Sequence, residues 1–267
     1  MLQDITLGQY YPGNSILHRL DPRTKFLGTL IFIVGLFLVQ GVIGYTFVTV
    51  VLLALIFLSQ VPWKIVLKGL RAVLFILILT MLFNIFLIPG KVIAQWWIFR
   101  ITEEGLYTAI RMGIRLVYLV TGSTLLTLTT IPTAMTDAME SLFRPLKVFH
   151  VPVHEIAMMM SIALRFIPIL MEETEKIKKA QMARGADFES GSFFRRIKSL
   201  VPLLVPLFVS AFQRANDLAL AMEARCYHGG EGRTRMKPLR YAKRDVIAYI
   251  LLAVFIGVCI LCLIFGL

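Results

Sequence analysis

Residues 246–267 read VIAYILLAVFIGVCILCLIFGL, 22 positions without one charged side chain. A helix needs about 20 apolar residues to cross the hydrocarbon core of a bilayer. Inside lipid every backbone polar group must also be satisfied within the segment, which a helix achieves and an irregular chain does not. The stretch therefore predicts a membrane-spanning helix and decides the class of the whole chain. Its Cys259 and Cys262 form a Cys-x-x-Cys. No polar neighbour stands nearby to stabilise a thiolate, so the pair reads as helix packing and not as redox or zinc chemistry.

Outward from this stretch, the rest of the chain has the same character. It has 267 residues, 58% of them hydrophobic, and only 16% are charged. Its mean hydropathy is +0.78. A soluble domain carries roughly 25% charged residues, so a single aqueous domain is excluded. Further spans are predicted at 26–39, 45–58, 72–88 and 106–131, which makes five with the last. The first two are short, with a tight turn at Gly41 to Gly44 between them. Trp96, Trp97, Glu103 and Glu104 belong to an interfacial segment between the third and fourth spans. The three cysteines do not suggest a disulfide framework. Met1 to Asp21 lacks the basic start and apolar core of a cleavable leader.

The net charge is +12. Its carriers flank apolar runs, which points to anionic lipid and not to nucleic acid. Basic residues concentrate in the N-terminal segment, around Lys64, Lys68 and Arg71, and from Arg144 to Arg244. The positive-inside rule assigns all three regions to the cytoplasm, with the N-terminus inside and the C-terminus outside. Arg111 and Arg115, at i and i+4 in the fourth span, are expected to face protein, water or headgroups. Asn84, deep in the third span, reads as glue between helices.

The long basic region holds two helical units of one design. The first begins near His154, is apolar over Ile156 to Leu170 apart from Arg165, and is expected to kink at Pro168. It then turns polar, with Glu172–Lys176 and Glu175–Lys179 in the favourable i, i+4 order. The second is apolar over Leu200 to Phe212, with Pro202 and Pro206, and polar from Gln213 to Arg225. Each ends in the phrase Ala-x-x-Ala-Arg-small, at Ala180 to Gly185 and Ala221 to Cys226, and the arginines are 41 positions apart. One arginine in a last helical turn is explained by the helix dipole. Two in the same framing suggest a second use, since guanidinium is a planar fork that pairs bidentately with a carboxylate.

Catalytic residues are not indicated, nor is a metal site. Pro152 separates His150 from His154, and His154-Glu155 lacks the second histidine of a zinc-protease helix. No glycine-rich phosphate loop is present, so ATP hydrolysis by this chain is not expected.

Leu20-Asp21-Pro22-Arg23-Thr24-Lys25 ahead of the first span, followed by the two Ala-Arg-small phrases ahead of the last, resembles the transmembrane T component of energy-coupling factor (ECF) transporters. The resemblance implies an all-α polytopic membrane protein with about five spans and two or three long cytoplasmic coupling helices. It implies an organisation into residues 1–131, 132–245 and 246–267: four spans, the coupling helices and a final span. The implied partners are two ABC-type ATPases, which would bind the ATP, and a small membrane S component that captures a vitamin or a transition-metal ion. Ala183, Arg184, Gly185, Ala224, Arg225 and Cys226 would dock the ATPases. Met158, Met159, Ile162, Phe166, Leu203 and Leu207 would contact the S component. Cys226 departs from the usual glycine, and its helix end is expected to lose the glycine-type cap. A conventional ABC permease with its own substrate pathway is the alternative, and an intramembrane enzyme the more distant one.

Overall fold

The computed structural model describes residues 10–96, 99–186, 188, 193–230 and 238–266. The described chain is helical apart from one short hairpin. Its elements are α1 (Pro22–Leu38), α2 (Val42–Ser59), α3 (Trp63–Leu87), β1 (Val92–Trp96), β2 (Phe99–Thr102), α4 (Glu103–Thr129), α5 (Pro132–Phe143), a 3-10 turn (Arg144–Phe149), α6 (Val153–Ala183), α7 (Phe193–Ala224) and α8 (Lys243–Phe265). The described residues fall into two compact units, 10–138 with 238–266, and 139–230.

Among the described residues, five helices are long and apolar enough to cross a membrane: α2, α3, α4, α6 and α8. The count of five agrees with the sequence, but the membership differs. α1 has 17 residues, about 26 Å of helix against a core of about 30 Å. α6 passes the same test of length and hydropathy through the long apolar first half of its 31 residues. Three local expectations are corrected. Gly44 lies inside α2, which starts at Val42 and leaves a shorter turn. Lys64, Lys68 and Arg71 belong to the first turns of α3 and not to a loop. The segment before the fourth span folds as an antiparallel β1–β2 hairpin, and Glu103 and Glu104 already form the first turn of α4. Trp97 lies outside the described residues.

In the first unit α3 and α4 make the most extensive pairing, α1 packs on α8 and α4, and α2 packs on α4. The core gathers Phe32, Leu36, Val48, Leu52, Ile56, Leu125, Phe255 and Cys259. Phe255 stacks against Phe32 and Phe47 at ring separations of 5.8 and 5.9 Å. Gly35 permits this approach, since a Cβ there would stand 2.6 Å from Phe255 Cε1. Cys259 and Cys262 are free thiols, both buried. Leu74, Phe75, Ile78, Leu82 and Phe83 of α3 are exposed, the arrangement suited to lipid as solvent.

Several threonines of these helices satisfy their hydroxyls locally. Thr29, Thr46, Thr49, Thr80, Thr121 and Thr129 each donate a hydroxyl to the carbonyl four residues back, a bond that hides the hydroxyl on its own helix. Asn84 does likewise, donating Nδ2 to Thr80 O at 2.7 Å, so this bond lies within α3 and not between helices. Arg115 reaches across to the end of α1, donating to Val39 O at 3.1 Å with its guanidinium 5.4 Å from the Phe37 ring. Arg111 stands 5.6 Å from the Tyr107 ring.

The segment from Leu20 to Lys25 is more than a helix start. Asp21 caps α1 by accepting the Arg23 N–H at 2.9 Å, and Pro22 occupies the first helical position. The Asp21 N–H is itself bound, to Asp245 Oδ1 at 2.8 Å, while Asp245 Oδ2 accepts the Ala242 N–H at 2.8 Å. Two carboxylates thus sit at two adjacent helix N-termini, where the dipoles favour negative charge. Lys25 Nζ donates to His18 O and to Thr129 O at 3.2 and 2.8 Å. Arg23 lies over the Tyr241 ring at 5.3 Å. The motif joins the starts of α1 and α8 to the end of α4.

Candidate docking site on two paired helices

The second unit is built on α6 and α7, which pack against each other. Their C-terminal ends, Ala183 and Ala224, are 41 positions apart, the same spacing as the two arginines. Prolines interrupt both helices: Pro168 in α6, Pro202 and Pro206 in α7. Each stays one continuous helix, Pro168 included. A proline removes an N–H and orphans the carbonyl four residues back. The Pro202 carbonyl, orphaned by Pro206, accepts from Gln181 Nε2 of α6 at 3.3 Å. Arg214 Nη2 and Glu173 Oε2 form an ion pair across the two helices at 3.1 Å.

The two arginine phrases end in one backbone motif. In the first, Gly185 takes φ +88. Its N–H bonds Met182 O at 3.0 Å, and the Ala186 N–H reaches back to Gln181 O at 3.0 Å. In the second, Cys226 takes φ +55. Its N–H bonds Glu223 O at 2.9 Å, and the Tyr227 N–H reaches Met222 O at 3.1 Å. Both are Schellman closures, with a left-handed residue just after the arginine. The expected loss of a glycine-type cap at Cys226 is therefore corrected. The cysteine adopts the left-handed conformation, at a cost of about 1 kcal/mol, and the same closure forms.

The closure places each arginine at the helix terminus, in the last position before the left-handed residue. Ala183, Arg184, Gly185, Ala224, Arg225 and Cys226 are all exposed. Among the described residues neither guanidinium has a hydrogen bond or ion pair. Small residues on both sides leave room around each fork. The chemistry this arrangement offers is recognition of a carboxylate by a presented cation, twice over.

The six apolar residues expected to meet a membrane partner are spread differently. Met159 is exposed, whereas Met158, Ile162, Phe166, Leu203 and Leu207 are half-buried. On α7 the half-buried positions 203, 206, 207, 210, 211, 214, 218 and 222 form one stripe, the stripe that includes Arg214 facing α6. The bare apolar face of α7 is instead Leu200, Val201, Leu204, Val205, Phe208, Val209 and Phe212. Helical periodicity separates these two faces in the sequence, but it does not say which of them α6 covers.

The histidines do not assemble a site. His150 ends the 3-10 turn at φ +58. His154 lies in the first turn of α6, with Nδ1 3.0 Å from Glu140 Oε1 of α5. Among the described residues no cluster of three metal-ligating side chains occurs.

Comparison with known proteins gives one answer. The family model described as CbiQ, cobalt transport protein, matches residues 13–236. A protein of Thermosediminibacter oceani named energy-coupling factor transporter transmembrane protein EcfT is 56% identical over 249 residues, 93% of this chain and 94% of its own. The protein of that name from Ruminiclostridium cellulolyticum is 54% identical over 255 residues, 96% of each chain. The one from Bacillus subtilis is 48% identical over 257 residues, 95% of this chain and 97% of its own. The bundle of long apolar helices makes this a multi-pass membrane protein, and similarity at this level along nearly its whole length means that the chain belongs to the CbiQ/EcfT family of energy-coupling factor transporter transmembrane components.

Proposed function

We propose that the chain is the non-catalytic scaffold of an ATP-driven importer, transmitting the movement of two ABC-type ATPases to a small membrane S component. The observation that carries the reading is the pair of identically closed helix ends, each presenting one exposed arginine flanked by small residues. Arg184 and Arg225 dock into acidic grooves, one on each ATPase, with Ala183, Gly185, Ala224 and Cys226 providing clearance. ATP binds to the partners and closes them, and α6 and α7 carry the motion as levers. The S component rests on the apolar halves of the two helices, around Met158, Met159, Ile162, Phe166, Leu203 and Leu207 and the bare face of α7. That component carries the specificity for a vitamin or a metal ion. The scaffold works in a bacterial or archaeal cell membrane with its N-terminus and both arginine tips in the cytoplasm.

The test is co-purification. Tagged wild type, Arg184→Glu, Arg225→Glu and the double variant are extracted from membranes that also express candidate ATPases and S components. Wild type retains two ATPase subunits, each single variant loses part of them, and the double variant loses both. Retention of the ATPases by the double variant reduces the arginines to helix ends and defeats the reading.

A further inference from the structure

We propose that the Glu173–Arg214 ion pair is the pivot of the two helices and sets the distance between the arginine tips. The pair is a positioning device. Its functional meaning rests on the docking reading above, while its geometry stands without it.

Glu173 and Arg214 are 41 positions apart, which is the spacing of Arg184 from Arg225 and of the α6 terminus from the α7 terminus. They therefore occupy equivalent places in the two units. When two similar helices touch through equivalent residues, the contact lies on the approximate two-fold axis that relates them, as in an isologous interface. A second contact gives the sense of the pairing. Gln181 lies 8 residues beyond Glu173, and its partner Pro202 lies 12 residues before Arg214. From the pivot, then, α6 runs forward while α7 runs back, and the two C-terminal tips leave in opposite directions.

Arg184 lies 11 residues past Glu173, and Arg225 lies 11 past Arg214. At about 1.5 Å per residue both lever arms are about 16 Å long. A swing of about 10° in one helix then moves its tip by about 3 Å, enough to take a guanidinium out of hydrogen-bond range of a fixed carboxylate. Both members of the pair are partly shielded, with side-chain exposures of 37% for Arg214 and 27% for Glu173. Around it the α7 stripe carries apolar and small side chains, with the neutral bond from Gln181 to Pro202 O further along. The charged, directional pair is what selects one register.

The experiment measures tip separation in the full chain, in lipid nanodiscs and without partners. Buried Cys259 and Cys262 are replaced by alanine, exposed Cys226 is kept, and Met182→Cys supplies a second exposed thiol at the other tip. Spin labels on the two report the distance by pulsed electron resonance. The otherwise native pair is expected to give one narrow distribution. Glu173→Gln, which keeps the side chain's shape, and Arg214→Gln are expected to broaden it by about 3 Å for each 10° of freed swing. The charge-swapped double variant Glu173→Arg/Arg214→Glu is expected to recover the narrow distribution. Unchanged widths in the single variants overturn the proposal, as does a swapped variant as broad as the singles. If the distances behave as expected and no ATPase co-purifies even with wild type, the pivot stands and the docking reading falls.

Discussion

Replacing Asp245 by alanine should loosen the junction of α1 and α8 more than any other loss of a single charge in the first unit. The carboxylate is 2% exposed and accepts two backbone N–H groups, those of Asp21 and Ala242, both at 2.8 Å. A hydrogen bond to a charged group contributes about 1.5–3 kcal/mol. Asp21 is itself 6% exposed, so its N–H would be left without a partner away from water. The two bonds together give about 3–6 kcal/mol, and the lower half of that range holds if water enters the space left behind. At about 2–4 °C per kcal/mol for a chain of this size, the midpoint of thermal unfolding falls by roughly 10 °C. The assay is size-exclusion chromatography of detergent-solubilised protein after stepwise heating. Asp245→Asn is the informative companion. An amide has one acceptor and one donor end, so it restores one bond and sets an N–H against an N–H at the other. Its loss should be more than half that of alanine, because the restored bond is neutral and the other end is repulsive. Asp217 of α7 is exposed, and Asp217→Ala should stay within about 0.5 kcal/mol of wild type. A midpoint for Asp245→Ala within about 2 °C of wild type would refute the reasoning, because it would mean the buried N–H groups find other acceptors.

The two helix ends supply a reciprocal pair of tests. A Cβ at Gly185 would meet nothing within 4 Å, so the cost of Gly185→Ala is conformational alone, about 1–2 kcal/mol; amide exchange at Arg184–Ala186 should speed up about 5- to 30-fold. Cys226→Gly should do the opposite, slowing exchange at Cys226 and Tyr227 by a few-fold, since relief of left-handed strain exceeds the added freedom of the unfolded chain by about 0.5 kcal/mol. In the core, Gly35→Ala drives a methyl to 2.6 Å from the ring of Phe255, and overpacking of this kind costs about 1–3 kcal/mol, which the same heating assay would register as an earlier loss of the monodisperse peak.

The arginine phrases were legible because both the alanine framing and the 41-residue period lie in the local order of residues. The same period already related Glu173 to Arg214, yet nothing in the order of residues says that equivalent positions touch. Asp21 was readable as a cap for its own helix, since capping involves neighbours in the chain. Its second role was not, because Asp245 is 224 residues away and no local pattern connects them. The cap at Cys226 was misjudged for a related reason. Glycine preference is a statement about average cost, and the closing bonds from Cys226 and Tyr227 outweigh that cost here. Leu203 and Leu207 looked as available to a partner as Leu204 and Phe208 until α6 was in place.

What the sequence determined by itself was the membrane class, the position of most spans, the doubled arginine design and the family resemblance. All of these follow from hydrophobicity, charge and spacing along the chain, which act on neighbouring residues whatever the fold. What only the tertiary structure decided was which side chains meet across helices: Asp245 with Asp21, Gln181 with the carbonyl freed by Pro206, and Glu173 with Arg214. Those contacts join residues from 21 to 224 positions apart. They form only when packing brings two helix faces together, and a helix pattern shows that a face exists without showing what it faces.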